Sequence, residues 1–580
     1  MSNRRTRAGE PSDVAPDVPA AAAPRPRRAR RPRSTVAPPA TRTLTLAVAT
    51  SDPIAAWQAR CAALVAAVPG VTIRHWIRVP RSRDDPATTP TGPRAIGEVP
   101  SALEGVPATT DGVPPTHGAP AGSASVDPTD APTVDVLLDL TTTGAADRIR
   151  ADEVWRFGYG LTHDRRANGA ALLSYVRGSH GTPVVLLRDG DGQILRDGMI
   201  ETSSWWRGAL VDHLLTDVVD WPSDVLRDRL APLDGPFPVA DAMAATPTPV
   251  ASPSRGPATL LDRPGGRALL TVGAAGRRLV GLADSMREQD WRVGIVEAPI
   301  AGTLAGPLPE PRWLPAPAGH FHADPFGIER DGVLHVIFED FDHRDGLGTI
   351  AHMAVGPDGT VTEPRTILRP AVHASYPFLV EDRGGTFLLP EMSAAGELVL
   401  YEADPFPTTW RPVATLLAGT PAVDATVVCH EGTWWMFATR ADLGHNQSLS
   451  IWHAPHLTGP WMPHARNPVK VDVRSARPGG TPFVVDGVLY RPAQDGSRRY
   501  GGRVVLNRVE VLTPLDFREA PVTAVEPWPG TALPDGVHTL SAVGNRLLVD
   551  GNAMHLVPSA LPRTLAARAA RLRADVWRRR

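Results

Sequence analysis

Cysteine is scarce: Cys61 and Cys429 are the only two in 580 residues. A pair this far apart makes neither a disulfide framework nor a cysteine-based metal cluster. Lysine is scarcer still, since Lys470 is the only one, while Arg, Ala, Pro and Gly abound. So lopsided a usage reflects compositional bias, and it discounts Ala and Arg as structural signals. Excess charge of either sign is missing too, with 60 basic residues against 62 acidic ones and a formal net charge of −2. No global field therefore draws the chain to nucleic acid. No apolar run approaches the ~20 residues of a membrane-spanning helix. The basic, Pro-rich start is not followed by an apolar core of roughly 7–15 residues, so it does not read as a secretory signal. The address expected on these grounds is cytoplasmic, with peripheral contact at the inner membrane face as an extension of it.

What is present is a repeat. His322-Ala-Asp-Pro-Phe-Gly-Ile-Glu-Arg-Asp-Gly-Val-Leu-His-Val-Ile-Phe-Glu-Asp340 reads as an acidic residue at a strand mouth, a strand, an Asp331-Gly332 turn and a second strand. Asp-Gly between alternating apolar runs tolerates the positive φ of a type I′ hairpin turn. The pattern recurs from Ser375, Asp424, Gly480 and His538. With Pro325, Pro377, Thr426, Pro482 and Thr539 as equivalent points, the spacing is roughly 50 residues, the length of a propeller blade. Five units predict a five-bladed β-propeller.

The rest of the chain divides around that repeat. Residues 1–41 are an Arg/Pro/Ala tail expected to be disordered; its Arg25–Arg33 run is either solvated or a contact for an anionic surface. Residues 42–231 read as an α/β domain. A strand carries Leu44, Leu46 and Val48, and a helix opening at Pro53 with Asp52 as N-cap carries Ile54, Trp57, Cys61, Leu64 and Val68. A strand at Val71–Ile77 follows, and the sheet resumes at Val134 after a disordered insertion at about 81–132. A helix from about Ser203 to Val219 closes this domain. Residues 232–267 are a second linker, the propeller spans 268–557, and 558–580 form a basic amphipathic tail. That tail is either a capping helix or a weak membrane-surface contact. The fold class is thus multidomain, a small α/β domain followed by an all-β propeller.

Two resemblances attach to these segments. Tyr159-Gly160, Arg177-Gly178 and Asp197-Gly198 follow the skeleton of the N-terminal domain of formyltransferases that use a formyl-folate cofactor. The Asn-x-His of that family is not recognisable, and His163-Asp164 stands near its place, so no cofactor is carried over. The second resemblance is carried by Trp291–Ile300, His322–Phe326, Glu339-Asp340, His373–Phe378, Pro390-Glu391, Trp410, Gly459–His464, Asn467-Pro468, Arg477, Gln494-Asp495 and His538–Ser541. Over roughly 268–552 these look like the N-terminal domain of glucosamine inositolphosphorylceramide transferases, a region itself similar to five-bladed furanosidases and related glycoside hydrolases. Longer members of that family place a separate glycosyltransferase domain after this region, so the transferase activity is not carried over.

The first strand of each blade lines the central channel, so strand-mouth residues converge on one axis. Glycoside cleavage needs two carboxyls facing each other across the bond. Asp324 opens the first unit, Asp424 opens the third, and Glu391 follows the second strand of the second unit. In the resembling hydrolases the Asp of an Asp-Pro pair is base or nucleophile, which maps onto Asp324; Glu391 is the nearest candidate acid. Gly479-Gly480 stand where those enzymes often open a later blade with Glu-Gly-Pro. His322, His373 and His538 recur beside three mouths, either to bind sugar hydroxyls or to satisfy a neighbouring blade. Arg477 and Arg491 are candidates for an anionic substrate group or for plain salt bridges, and Gln494 joins them. Tyr376 and Trp435 are candidates for stacking on sugars, although Trp434-Trp435 in an alternating strand also fits packing between blades. No metal site is expected, because no close-spaced ligand pair supports one. The expectation is a carbohydrate-active propeller with a glycan or glycolipid partner, either a hydrolase or transglycosidase or a non-catalytic binding or scaffold protein of glycan synthesis.

Overall fold

The computed structural model describes residues 43–80, 133–141, 149–202 and 214–230, with breaks at 53, 161, 162, 164 and 166, then 272, 273 and 276, and finally 286–557 without a break. The N-terminal tail, the 81–132 insertion, the 232–267 linker and the basic C-terminal tail lie outside the described residues.

The α/β domain is a mixed six-stranded sheet. Its elements are β1 (Leu44–Asp52), α1 (Ala56–Ala66), β2 (Val71–Pro80), β3 (Thr133–Asp139), β4 (Arg150–Tyr159), α2 (Ala167–Val176), β5 (Gly181–Arg188), β6 (Ile194–Glu201) and α3 (Trp221–Leu230). Strand order is β2-β1-β3-β4-β5-β6. The first four strands are parallel and the last two join by antiparallel pairing. Helix α1 begins later than the Asp52-Pro53 signal predicts. The Gln58 side chain accounts for this, because its Oε1 accepts the Ala55 N–H at 3.1 Å and the Ser51 hydroxyl at 2.7 Å. Trp57, Cys61 and Val65 then pack with Leu46, Val48 and Val136 of the sheet and with Leu214, Val218 and Trp221. Most of the helix expected at 203–219 falls outside the described residues, and α3, which the sequence reading did not anticipate, is the closing helix.

Five antiparallel sheets follow. β7 (Arg287–Val296) and β8 (Arg312–Trp313) come first in the chain. Blade one is β9 (His320–Arg330), β10 (Val333–Asp342), β11 (Leu347–Val355) and β12 (Arg365–Leu368); blade two is β13 (Ser375–Asp382), β14 (Gly385–Glu391), β15 (Glu397–Ala403) and β16 (Trp410–Ala418). Blade three is β17 (Ala422–His430), β18 (Thr433–Arg440), β19 (Ser448–Ala454) and β20 (Met462–Pro463), with β21 (Lys470–Val471) also on β19. Blade four is β22 (Phe483–Val485), β23 (Val488–Asp495), β24 (Arg503–Leu512) and β25 (Phe517–Val525). Blade five takes β26 (Leu540–Val543) and β27 (Arg546–Leu556) from the end of the repeat and β7 and β8 from its start. β27 pairs β7 antiparallel from Leu547 opposite Val296 to Leu556 opposite Arg287, which closes the five-bladed ring.

The local chemistry behind the repeat is a two-residue turn. Asp331-Gly332, Arg383-Gly384, Glu431-Gly432 and Asp486-Gly487 all have positive φ at both positions, the type I′ geometry that matches strand twist. A second strained point lies near the start of the first strand. Asp324, Tyr376 and Asp424 have φ of 52°, 41° and 51°, each where the pairing to the second strand slips. Such a bulge re-aims one side chain, here toward the axis. It also makes Ala425, rather than Thr426, the counterpart of Pro325 and Pro377.

Apolar layers fill the gaps between blades. Phe378, Leu389 and Leu400 of blade two meet Val427, Trp434 and Met436 of blade three. Trp435 points the other way, into a layer with Phe437, Ile451 and Phe517. Each tryptophan therefore serves a blade face, and Trp435 is no platform for a sugar.

The α/β domain grips blade three. Val471 joins its core, the Val473 N–H donates to the Met199 carbonyl at 2.8 Å, and Arg474 reaches Asp197 at 3.0 Å. Removing residues 546–580 should strip β7 of its partner and abolish cooperative unfolding of the propeller, read by calorimetry or urea titration. A parent-like transition would mean that the ring does not need this closure.

Candidate functional site

The bulges at Asp324 and Asp424 and the second strands that carry Glu339 and Glu391 bring four carboxyl groups from three blades to the axis. Asp324 is 6 % exposed, Glu339 6 %, Glu391 8 % and Asp424 1 %. Asp424 is the fully compensated one. Its Oδ2 accepts Arg477 Nε at 2.6 Å and Gln494 Nε2 at 2.6 Å, and its Oδ1 accepts Arg477 Nη2 at 3.3 Å. Glu391 Oε2 accepts the Asp424 N–H at 3.3 Å and its Oε1 accepts the Ser393 hydroxyl at 3.0 Å. Burial and then the Asp424 charge push the Glu391 carboxyl well above the usual range, and Arg477 offsets only part of this. Burial and the charges of Asp324, Glu391 and Asp424 do the same to Glu339. Both shifts favour the protonated form of these glutamic acids, because burial and nearby carboxylates act in the same direction.

Asp324 lies between blades. Its Oδ1 accepts the Thr539 hydroxyl at 2.8 Å, its Oδ2 accepts the Tyr376 N–H at 3.2 Å, and its own N–H donates to Asp550 Oδ2 at 3.2 Å. Burial raises its carboxyl to about 6, helped by Asp424 and Asp550, while His538 pulls it down. His538 has Nδ1 at 2.5 Å from Asp550 Oδ2 and Nε2 at 3.8 Å from Asp324 Oδ1, and its ring stacks on Trp291 with centroids 4.0 Å apart. Burial works against its cationic form, but Asp550 and Asp324 together raise its pKa. Asp550 comes from β27, so the strand that closes the ring also orients this histidine.

The other expected residues divide between site and scaffold. Arg477 holds Asp424, and Gln494 braces the same carboxylate and the Pro478 carbonyl. His373 accepts the Gly348 N–H on Nδ1 at 2.9 Å, which leaves the protonated Nε2 at 3.4 Å from Glu339 Oε1. The His373 side chain is 40 % exposed and marks the rim. His322 is buried beside Phe338, and its Nε2 lies 3.6 Å from Asp340, beyond hydrogen-bond reach. Tyr376 is a correction: it is fully buried and its hydroxyl bonds Thr426 at 2.9 Å and the Gly480 N–H at 2.7 Å, so no face is left for a sugar. Arg491 is another. Its guanidinium is 1 % exposed, paired with Glu519 at 2.6 Å and donating to the Ser475 carbonyl, and it ties strands of blade four together.

Glu339, Asp550 and Tyr500 were not foreseen as site residues. Glu339 and Asp550 sit on second strands, away from the strand mouths that the repeat advertises. Tyr500 sits in a loop, 37 % exposed, edge-on to His538 at 5.5 Å and under the Arg477 guanidinium at 5.3 Å. It is the exposed ring that Tyr376 and Trp435 were expected to be. The missing acid of blade four also has a physical reason. A Cβ on Gly480, at φ 133°, would stand 1.8 Å from the Leu540 carbonyl oxygen, so blade five leaves no space for a side chain there.

Asp324, His538 and Asp550 place three ligand atoms within 4.8 Å of one another. The short His538–Asp550 contact already uses Nδ1, and the Thr539 hydroxyl and Tyr376 N–H occupy Asp324. His538 and Asp550 form a hydrogen-bonded pair, Asp324 is held by the Thr539 hydroxyl and the Tyr376 N–H, and the His538 Nε2 to Asp324 gap of 3.8 Å is electrostatic contact only.

Comparison with known proteins agrees with the motifs over most of the ring. Residues 315–529 match the family described as "Glucosamine inositolphosphorylceramide transferase 1, N-terminal". The chain is 36 % identical over 209 residues to glucosamine inositolphosphorylceramide transferase 1 of Arabidopsis thaliana, covering 35 % of this chain and 27 % of that one. The rice protein of the same name (Oryza sativa subsp. japonica) is 36 % identical over 209 residues, covering 35 % of this chain and 28 % of that one. The chain thus spans little more than a quarter of the curated relatives it matches. Among solved structures, Zg3597, a family 117 glycoside hydrolase of Zobellia galactanivorans, superposes with a TM-score of 0.30 at 13 % identity, covering 46 % of this chain and 91 % of that one. The catalytic domain of the GH62 α-L-arabinofuranosidase of Coprinopsis cinerea gives 0.31 at 13 %, covering 43 % and 95 %.

Asp324 supplies a pH test of this arrangement. A folded pKa near 6 against an unfolded value of 3.8 means that the folded state binds the proton more tightly. Stability linked to this group is present below pH 4 and is lost as pH rises through 6. Two units correspond to up to ~3 kcal/mol at ~1.4 kcal/mol per unit. Asp324→Asn should therefore gain on the parent in urea titrations between pH 4 and pH 7, and parallel stability curves would show that Asp324 is not the strained carboxyl described. Over residues 315–529, which hold blades one to four, the chain is similar to the N-terminal region of glucosamine inositolphosphorylceramide transferases.

Proposed function

We propose that the axis of the propeller is a carbohydrate site in which one carboxyl group gives a proton and another receives one. The observation that carries this is the convergence of Asp324, Glu339, Glu391 and Asp424, where burial and neighbouring charge favour the protonated form of both glutamic acids while Arg477 binds Asp424 through two nitrogens. Carboxyls whose surroundings push their proton affinities apart are what acid–base chemistry at a glycosidic bond needs. Asp324, near 6 and flanked by His538, is ionised at neutral pH and takes the role of base or nucleophile. Glu391 or Glu339 donates to the leaving oxygen; Glu339 stands by the rim at His373. Asp424 is saturated by Arg477 and Gln494, so it acts by raising the proton affinity of the neighbouring Glu391. Tyr500, half-open beside Arg477, offers a ring face to a sugar.

The substrate proposed is a glycan or a glycolipid headgroup, in line with relatives whose name couples glucosamine with inositolphosphorylceramide. With Asp324 as nucleophile, hydrolysis and transfer share a first step in which its carboxylate bonds the sugar as the protonated leaving oxygen departs, and water or an acceptor hydroxyl then displaces Asp324. With Asp324 as base, it takes the proton of the water or hydroxyl that displaces the leaving group in one step. Binding without turnover is the second reading, favoured by the saturation of Asp424 and by the lack of space for an acid at Gly480. The likeness of the α/β domain to formyltransferases stays a proposal about ancestry alone.

A glycan array with the full chain identifies a ligand, and turnover of that ligand is then followed. Asp324→Asn should lose on the order of 10²–10⁴ in rate, as should Gln in place of the working glutamic acid, Glu391 or Glu339. Parent activity should rise as pH passes about 6, where Asp324 ionises. Binding by the parent with no turnover at any pH supports the second reading. Stable variants that turn over the glycan like the parent would remove these carboxyls from the chemistry.

A further inference from the structure

Arg477 binds the carboxyl cluster at Asp424, and the propeller does not hold it alone. Its Nη1 donates to Asn446 Oδ1 at 2.9 Å, in the segment that leads into β19. The other end of the same amide, Nδ2, donates to Glu201 Oε1 at 2.9 Å, and Glu201 is the last residue of β6 in the α/β domain. Only one orientation of the Asn446 amide serves both partners, because the flipped amide would set NH₂ against the guanidinium. The next residue locks that segment in place. Gln447 is 1 % exposed; its Oε1 accepts the Glu201 N–H at 2.8 Å and its Nε2 donates to Asp217 Oδ2 at 2.5 Å. A Cβ on Gly444, at φ 102°, would come within 2.7 Å of that Nε2, so glycine there leaves room for the amide.

We infer that the α/β domain is a working part of the propeller site, in which Glu201 and Asn446 are positioning residues that hold Arg477 flat against Asp424. The path runs from a carboxylate through an amide to a guanidinium and on to a second carboxylate, so the charge of Glu201 also adds to what keeps the guanidinium in register. Cutting it leaves Nη1 only the His445 carbonyl at 3.4 Å and loosens Arg477. Asp424 then loses part of its bidentate partner, and the proton affinity of Glu391, which Arg477 restrains, rises further. This inference adds to the acid–base reading above and rests on it for its catalytic meaning, while the geometry stands without a substrate.

The experiment uses the full chain and two readouts. Glu201→Ala and Asn446→Ala are compared with Asp228→Asn, a change at another contact between the same domains, where Asp228 meets Arg466 at 2.5 Å. Hydrogen exchange followed by mass spectrometry needs no ligand. Expected is faster exchange, by roughly tenfold, in peptides covering 422–426 and 476–480 for the first two variants, with melting temperatures near the parent's and no such change for Asp228→Asn. Exchange altered only around 199–202 and 444–448, or altered equally by Asp228→Asn, would overturn the inference. With a glycan in hand, the pH profile of the first two variants should shift, whereas a merely structural contact would lower the rate at all pH values alike. If exchange moves as expected and even the parent turns over no glycan, the positioning stands and the acid–base reading falls.

Discussion

Four carboxyls approach one axis from three blades, and the guanidinium of Arg477 binds one of them, Asp424, directly. It bonds Asp424 through two nitrogens, and burial followed by the neighbouring Asp424 raises the proton affinity of Glu391. A buried ion pair of this kind contributes little net stability, but leaving either partner alone costs ~3–5 kcal/mol. The rest of the centre is arranged around that constraint. Gln494 also donates to Asp424, the Tyr376 hydroxyl pins Gly480 where blade four turns inward, and Asp550 orients the His538 ring beside Asp324.

The backbone carries a share of this cost. Asp324, Tyr376 and Asp424 sit at positive φ without being glycine, which costs of order 1–3 kcal/mol at each place. The apolar layers between blades over-determine the strands on either side and hold the bulges in that shape. Strain at one point in three successive blades is what aims those side chains inward, so the same local device builds structure in blade two and chemistry in blades one and three.

Much of the propeller is legible in the sequence because its turns are chemically specific. A dipeptide ending in glycine between two alternating runs has few conformations open to it, and Asp331-Gly332 and Asp486-Gly487 announce theirs. The strand-mouth aspartates are legible for the same reason, since Asp tolerates the left-handed region that the bulge requires. What is not legible is partnership across blades. Tyr376 and Arg491 have the chemistry of ligand-binding residues, yet the former is consumed by Thr426 and Gly480 and the latter by Glu519, contacts between positions some 28 to 104 residues apart that no local pattern encodes. Glu339 sits in an unremarkable alternating strand and becomes special only through its neighbours. In the α/β domain, Asp52-Pro53 is a good helix start by composition, but the Gln58 amide caps the helix three residues later.

The closure of the ring by β7 and β27 has a kinetic consequence. Val296 pairs with Leu547, and the Val557 N–H donates to the Met286 carbonyl at 2.6 Å, so the two ends of the propeller touch. During synthesis β7 emerges early, paired on one side by β8 and open on the other along Trp291, Val293 and Ile295. At ~5–20 residues per second, the ~250 residues up to its partner take on the order of ten seconds or more. Throughout that interval a long apolar edge faces water with no strand to cover it, the arrangement most prone to pair with another chain. The nascent propeller is therefore most exposed to misassembly before its final strand leaves the ribosome, and a chaperone that shields sheet edges has its target in the first strand of the ring.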